Sequence, residues 1–247
     1  MRNLVEDFAT SLRALRPHPI SVQRLGMLAS IATTLTPAIV ALSKSGFGVE
    51  DLTLHAGQSE QHEVMLHSKS ADVVITSNPF YIMEGRERHA VLSENFLLVL
   101  PPDYHGPKAS LHDIMQRQPL IRFAATTNIG CRAEQHLRRL KLSVPRMIQA
   151  DRSSMVTACV SKGLGFTILT PSLLIDGLVE QMPLEVRALP NAGLSRSITV
   201  VARADELGDL PARLAEIARD ALIKQVGSQM GKPGFQPSPC CNKRSCA

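Results

Sequence analysis

No apolar run in the 247-residue chain approaches the roughly 18 to 20 residues that a helix needs to cross a bilayer, so no membrane span is expected. The first thirty residues include Glu6, Asp7, Arg13 and Arg16 and lack a signal-peptide apolar block, which makes the cytoplasm the expected location. Clustered positive charge is scarce too. The formal net charge is +5, but Lys224, Lys232, Lys243 and Arg244 all follow the last acidic residue, Asp220, and leave the body near +1. Phosphate binding comes from grouped Lys and Arg, so the chain alone is not expected to hold DNA.

Chemistry-bearing motifs are also missing. The five cysteines are Cys131 and Cys159 in the body and Cys240, Cys241 and Cys246 near the end. An odd count without a secretion signal argues against a disulfide framework, and the Cys-Cys-x4-Cys tail has no second ligand pair, so no metal is expected. His62 and His67 stand five apart, which separates them around a helix, and there is no HExxH, GxSxG or Walker loop. Gly163-Leu164-Gly165 follows helical rather than strand periodicity and has Ile168 at the third glycine position, which excludes a dinucleotide cofactor loop. Cys131 and His136 have no third group to support a nucleophile pair. Neither a cofactor nor catalysis is expected.

What is present is a soluble-protein composition, 44% apolar and 20% charged, sufficient for one large or two small domains. Residues 150 to 171, ADRSSMVTACVSKGLGFTILTP, read as Asp151 capping a helix with Met155, Val156, Cys159 and Val160 at helical spacing. Gly163 ends that helix, and Phe166 to Leu169 follow as a buried strand closed by Thr170-Pro171. Helix feeding buried strand implies an α/β architecture. Strands are expected at Val22–Leu28, Leu52–His55, Asp72–Thr76, His89–Leu92, Phe96–Leu100, Leu120–Phe123, Leu184–Leu189 and Ser197–Val201. Ala29 to Thr34 reads as a small polar turn before a helix with Leu35, Ile39, Val40 and Leu42 on its apolar face and Pro37 near its start. Ala125 to Gly130 reads as a polar loop before a helix over roughly 132 to 140.

The Asp-led helix, Gly-x-Gly, apolar strand and Pro of residues 150 to 171 resemble the second subdomain of the effector-binding region of LysR-type transcriptional regulators. The likeness runs from about residue 4 to residue 225. It implies a fold of the type 2 periplasmic-binding-protein kind, two α/β subdomains joined by two crossing strands. On that pattern residues 1–20 are the remnant of a linker helix with Leu4, Phe8, Leu12 and Leu15 on one stripe. Residues 21–101 with 198–226 form the first subdomain, 102–197 the second, and 227–247 a disordered tail. The family's usual Gly-x-Leu-Asp turn appears here as Lys69-Ser70-Ala71-Asp72, which keeps only the Asp.

The resemblance further implies sensing of a small-molecule effector, an anionic one suiting helix N-termini. Subunits would pair as a homodimer or tetramer, and DNA would be contacted only through a winged helix-turn-helix that these residues do not contain. The rival reading is a solute-binding protein or an enzyme on the same bilobal fold, since fold does not settle function.

Effector contacts are expected first at Ser30, with Ile31 and Thr33 beside it, although Ser30 equally suits a helix cap. Ligands in open α/β sheets lie beyond the carboxyl ends of strands, which adds Thr76, Ser77 and Asn78. Thr126, Thr127 and Asn128 either face Ser30 or form a solvated loop. Ala150, Arg152 and Ser153 are placed at the effector by the family likeness. Arg132, Arg138, Arg139 and Lys141 read as a solvated basic face, with an acidic effector or a second subunit as the sharper alternative.

Overall fold

Strands rich in Val, Ile and Leu alternate with amphipathic helices, and the chain folds accordingly into two lobes with separate cores. The computed structural model describes residues 22–143, 148–177, 182–190 and 193–230. The expected linker stripe on residues 4 to 15 lies outside the described residues. In the first lobe β1 (Val22–Leu28) runs straight into α1 (Ala29–Ala41), which continues as a π turn over Leu42–Gly46. Next come β2 (Asp51–Gly57), α2 (Ser59–His67) and β3 (Val73–Thr76). The strands β4 (Arg86–Asn95) and β10 (Ser195–Arg203) complete a sheet of order β2-β1-β3-β10-β4. β1, β2 and β3 are parallel, whereas β10 is antiparallel to both its neighbours. One face is covered by α1 and by α7 (Leu210–Met230), through Ile31, Leu35, Ile39, Leu214, Ala218 and Leu222. The other is covered by Leu66 and Phe80.

The second lobe repeats the pattern. Only Phe96 separates β4 from β5 (Leu97–Leu100), which lies between β8 (Thr167–Leu169) and β9 (Glu185–Ala188). β6 (Ile121–Phe123) pairs in parallel with β7 (Ile148–Ala150), and Leu120 bridges Phe166 beside β8. The resulting order β7-β6-β8-β5-β9 has the same two parallel and two antiparallel pairings as the first lobe. The helices α3 (Leu111–Met115), α4 (Asn128–Arg139), α5 (Ser153–Ser161) and α6 (Pro171–Asp176) pack around it. Leu98, Ile121, Leu137, Val156, Val160 and Phe166 make up its centre.

The strands β4 and β10 carry the chain between lobes as one antiparallel ladder from Arg86↔Arg203 to Asn95↔Ser195. Its register steps once, between Ile198↔Leu92 and Thr199↔Ala90, so that Val91 is the extra residue of a bulge. Arg219 of α7 reaches this point and donates Nε to the Val91 carbonyl at 2.8 Å and Nη2 to that of Ala90 at 2.5 Å.

Several boundaries differ from the sequence expectation. α1 begins at Ala29 without an intervening turn, which leaves Pro37 inside the helix, where its ring removes the N–H that would reach the Thr33 carbonyl. α4 begins at Asn128 because Thr127 caps it, its Oγ1 accepting from Gly130 N at 3.0 Å. α5 begins at Ser153 with Arg152, not Asp151, in the cap position and no side-chain cap, since two residues are needed to turn the chain after β7. Pro171 does not merely close a strand but occupies the first turn of α6. Residues 227 to 230, expected as tail, continue α7, because propagating an established helix costs little even through Gly227. The remainder, 231–247, lies outside the described residues.

The turn after α5 follows from two glycines. Gly163 has φ +73°, and its N–H donates to the Val160 carbonyl while that of Leu164 donates to Cys159, a Schellman termination. Gly165 has φ +154°, and a Cβ there would lie 2.2 Å from the Pro119 carbonyl, the group that accepts from Phe166 N to join β8 to β6. Gly163→Ala meets no neighbour within 4 Å and is expected to cost about 1 kcal/mol from backbone conformation alone. Gly165→Ala is expected to cost more, about 2–3 kcal/mol, measured by urea unfolding, because overpacking is added to the unfavourable φ. Equal costs would contradict the close approach at Pro119.

Two buried polar groups shape the first lobe. Asp72, the Asp retained from the family's turn, accepts from Arg24 Nη2 at 2.9 Å and from Arg203 Nη2 at 2.9 Å, tying together β1, β3 and β10. Burial pushes its carboxyl up, but the bonds from Arg24 and Arg203 prevail and hold it below the usual carboxylate value. His62 of α2 is fully buried against Gly26 and Gly57, and neither ring nitrogen has a partner at hydrogen-bonding geometry among the described residues. Burial pushes this imidazole down to about 4, against a smaller upward pull from the Met27 backbone.

Candidate functional site: the cleft between the lobes

The carboxyl ends of β1, β2 and β3 in one lobe and of β6 and β7 in the other point at a shared cleft of about 310 Å³. Because a helix follows each of β1, β2 and β7 directly or after a short turn, and α4 follows β6, four helix N-termini converge there. They contribute Ala29 and Ser30 of α1, Gln58 and Ser59 at α2, Thr127 and Asn128 at α4, and Arg152 and Ser153 at α5. The start of α2 is closed by a capping box in which Gln61 Oε1 accepts from Gln58 N at 2.9 Å. α4 is capped by Thr127. α1 and α5 have no side-chain cap, and they start from opposite lobes.

At the floor, where the crossing strands meet the lobes, lies a buried ion pair. Arg196 and Glu94 are direct cross-strand partners on β10 and β4, and their side chains are 1% and 4% exposed. Arg196 Nε donates to Glu94 Oε2 at 2.8 Å. Ser172, in the first turn of α6, adds its backbone N–H to Glu94 Oε1 at 2.9 Å and its hydroxyl to Oε2 at 2.7 Å. Arg196 Nη2 donates to the Ser172 hydroxyl and, at 3.3 Å, to Ser30 Oγ on the other lobe. One guanidinium on the crossing strand thus touches both lobes and lines the cleft. On the far wall the Ser153 hydroxyl donates to the carboxylate of Asp176, which lies one turn beyond Ser172 on α6.

Of the residues expected at the effector, Ser30, Ser77, Thr127, Asn128, Arg152 and Ser153 line the cleft. Ser30 does not cap α1; its oxygen accepts from Arg196 instead. Ser77 Oγ is 3.0 Å from Ser59 Oγ, and Thr127 is occupied in capping α4. Six others lie away from the cavity, among them Asn78, whose N–H donates to Thr76 Oγ1 and whose Oδ1 accepts from Phe80 N. The early start of α1 turns Ile31 into the core with Leu35 and Ile39, and puts Thr33, two positions on, at the exposed surface. Thr76 is fully buried and donates to Ser59 Oγ at 3.0 Å. Thr126 is exposed before the α4 cap, and Ala150 belongs to the second lobe's core.

Sequence reading missed Arg196, Glu94, Ser172 and Asp176. Thr-Pro at 170–171 is a helix-start signal that would have placed Ser172 and Asp176 on a helix. The Glu94–Arg196 pairing spans 102 residues and left no local trace. Among the described residues no cluster of three or more His, Cys, Asp or Glu side chains could hold a metal, and no helix is long and apolar enough to cross a membrane.

Among solved structures, the chain is similar to the C206 mutant of OxyR from Corynebacterium glutamicum, with a TM-score of 0.71 and 16% identity over 91% of this chain and 72% of that one. It is similar to the reduced regulatory domain of OxyR2 from Vibrio vulnificus, with a TM-score of 0.67 and 19% identity over 84% of this chain and 99% of that one. The effector-binding domain of QuiR in complex with shikimate gives a TM-score of 0.62 and 12% identity over 84% and 98% of the two chains. By sequence, no curated protein gives a significant match. Two α/β lobes joined by two crossing strands are the type 2 periplasmic-binding-protein fold. The LysR substrate binding domain matches residues 19–222 by sequence profile, and the chain belongs to that family.

Proposed function

We propose that the interlobe cleft is the effector site of this LysR substrate-binding domain, and that its occupancy sets the output of the transcriptional regulator of which the domain is a part. The effector is a small molecule whose anionic group sits on the uncapped start of α1, beside Ser30 and Arg196. The observation that carries this reading is the guanidinium of Arg196, buried at the cleft floor and bonded to serines of both lobes. The start of α1 offers free backbone N–H groups beside the Ser30 hydroxyl, and Arg196, paired through Nε with Glu94, directs Nη2 to the same place, an arrangement suited to a carboxylate. The crystallised pairing of QuiR with shikimate, a small carboxylate, is consistent with a ligand of that size.

Signalling requires that the effector bind one arrangement of the lobes or subunits more tightly than another. Contacts to both lobes through one floor residue give it that differential grip. Subunit pairing as a dimer or tetramer, and DNA readout through a helix-turn-helix module, complete the proposed regulator.

The test is calorimetric titration of the protein with small carboxylates, acetate, succinate, benzoate and shikimate among them, repeated on Ser30→Ala. Hydrogen bonds involving a charged group contribute about 1.5–3 kcal/mol, so Kd is expected to rise at least about tenfold. A carboxylate that binds both proteins equally well is not seated on α1.

A further inference from the structure

The two walls of the cleft differ in chemical sense. On the first-lobe side the groups suited to an anion are the backbone N–H groups at the uncapped start of α1 and the Arg196 guanidinium, with no carboxylate among the residues that lobe contributes to the lining. On the second-lobe side the uncapped start of α5 already faces a carboxylate of the chain itself, Asp176, which accepts the Ser153 hydroxyl and retains lone pairs for another donor. Next to Asp176 a ligand ammonium is favoured over an anion, although Arg152 lies on the same wall. A second acceptor lies there as well: Asn128 Oδ1 is buried in the cleft wall and has no hydrogen-bond partner among the described residues. A buried acceptor left unpaired is costly, and rotation of the amide into the cleft would give it a donor on the ligand.

Resting on the cleft as the effector site, we infer that the effector is a small zwitterion of amino-acid size, its carboxylate toward α1 and Arg196 and its ammonium between Asp176 and Asn128. Charge balance agrees. Arg196 and Arg152 are matched by Asp176 and Asp151 among the lining residues, and Glu94 stands behind Arg196, so the cavity has no excess of positive charge for a multiply charged anion. A zwitterion adds no net charge and offers each wall the partner it lacks. Size agrees too. A volume of about 310 Å³ is at the small end of ligand cavities.

The experiment titrates the 247-residue protein with each of the protein amino acids and, beside each, the matching acid without its amino group, such as L-phenylalanine against 3-phenylpropionate and L-glutamate against glutarate. At least one amino acid is expected to bind about tenfold or more tightly than its deamino partner. Asp176→Asn, which keeps an acceptor for Ser153, is expected to bring that ratio close to one and to leave the deamino acid within about threefold of its parent affinity. Asp176→Glu is expected to restore most of the preference, a result that loss of folding could not give. Deamino acids that bind as tightly as amino acids, and are weakened by Ser30→Ala, would overturn the zwitterion and leave the cleft reading standing. Failure of every compound to bind would overturn both. An amino acid whose affinity is untouched by Asp176→Asn would also overturn the inference, because its ammonium would be read elsewhere.

Discussion

Glu94→Ala is expected to lower the free energy of unfolding by about 3–5 kcal/mol. The cause is not loss of attraction alone. Glu94 and Arg196 are both sequestered from water, and removing the carboxylate leaves a guanidinium with only the hydroxyls of Ser172 and Ser30 for partners. The Ser172 backbone N–H loses its acceptor in the same step. Arg196→Ala is expected to be similarly severe, since it leaves a buried carboxylate with Ser172 alone. Replacing both together, as Glu94→Leu with Arg196→Met, removes the desolvation cost along with the pair and is expected to fall within about 2 kcal/mol of the parent. Urea midpoints at constant m would give the four stabilities, and strict additivity of the single losses would refute the pairing.

Acidification is expected to cost the domain roughly 3 kcal/mol through His62 alone. The imidazole is held near 4 in the folded state against 6.5 when exposed, because burial disfavours its charged form. Between those values the unfolded chain binds a proton that the folded one does not. Stability from this residue is therefore complete above pH 6.5 and is lost as the pH falls towards 4. Asp72 and Glu185, both held below their ordinary values, act in a lower window, where their protonation begins. His136 is also lowered by burial and adds to the same slope, so the comparison must be with a variant. His62→Leu is expected to flatten the decline between pH 6.5 and 4 by most of that amount. Parallel pH profiles for the two proteins would show that the folded imidazole takes up its proton as readily as a free one.

The strands were readable from sequence because short runs such as Val73–Thr76 and Leu97–Leu100 satisfy a purely local condition, burial on both faces. The crossing strands and the two-lobed order followed from family likeness, which periodicity alone would not have supplied. Helix starts were the weak point, and they are where the cleft lies. At Ala29 the chain enters a helix without the polar turn that Ser and Thr suggested, and at Asn128 the turn is shorter than expected because Thr127 caps the helix. That error carried Ile31 and Thr33 into the expected site. The floor was invisible for a different reason. A glutamate and an arginine within strands look alike whether they face solvent or each other, and only the β4–β10 register brings these two together.

That same register governs how the lobes can move. Two strands bonded along their length resist sliding, because any slip breaks the ladder, but they can wind about their common axis. The ladder is interrupted at Val91, which makes that point the place where such winding meets least resistance. An effector seated as proposed and drawing the walls together would therefore turn one lobe about this axis instead of sliding it. Arg219, whose guanidinium grips the Ala90 and Val91 carbonyls of β4, would pass that turn to α7, a helix on the opposite side of the sheet from α2.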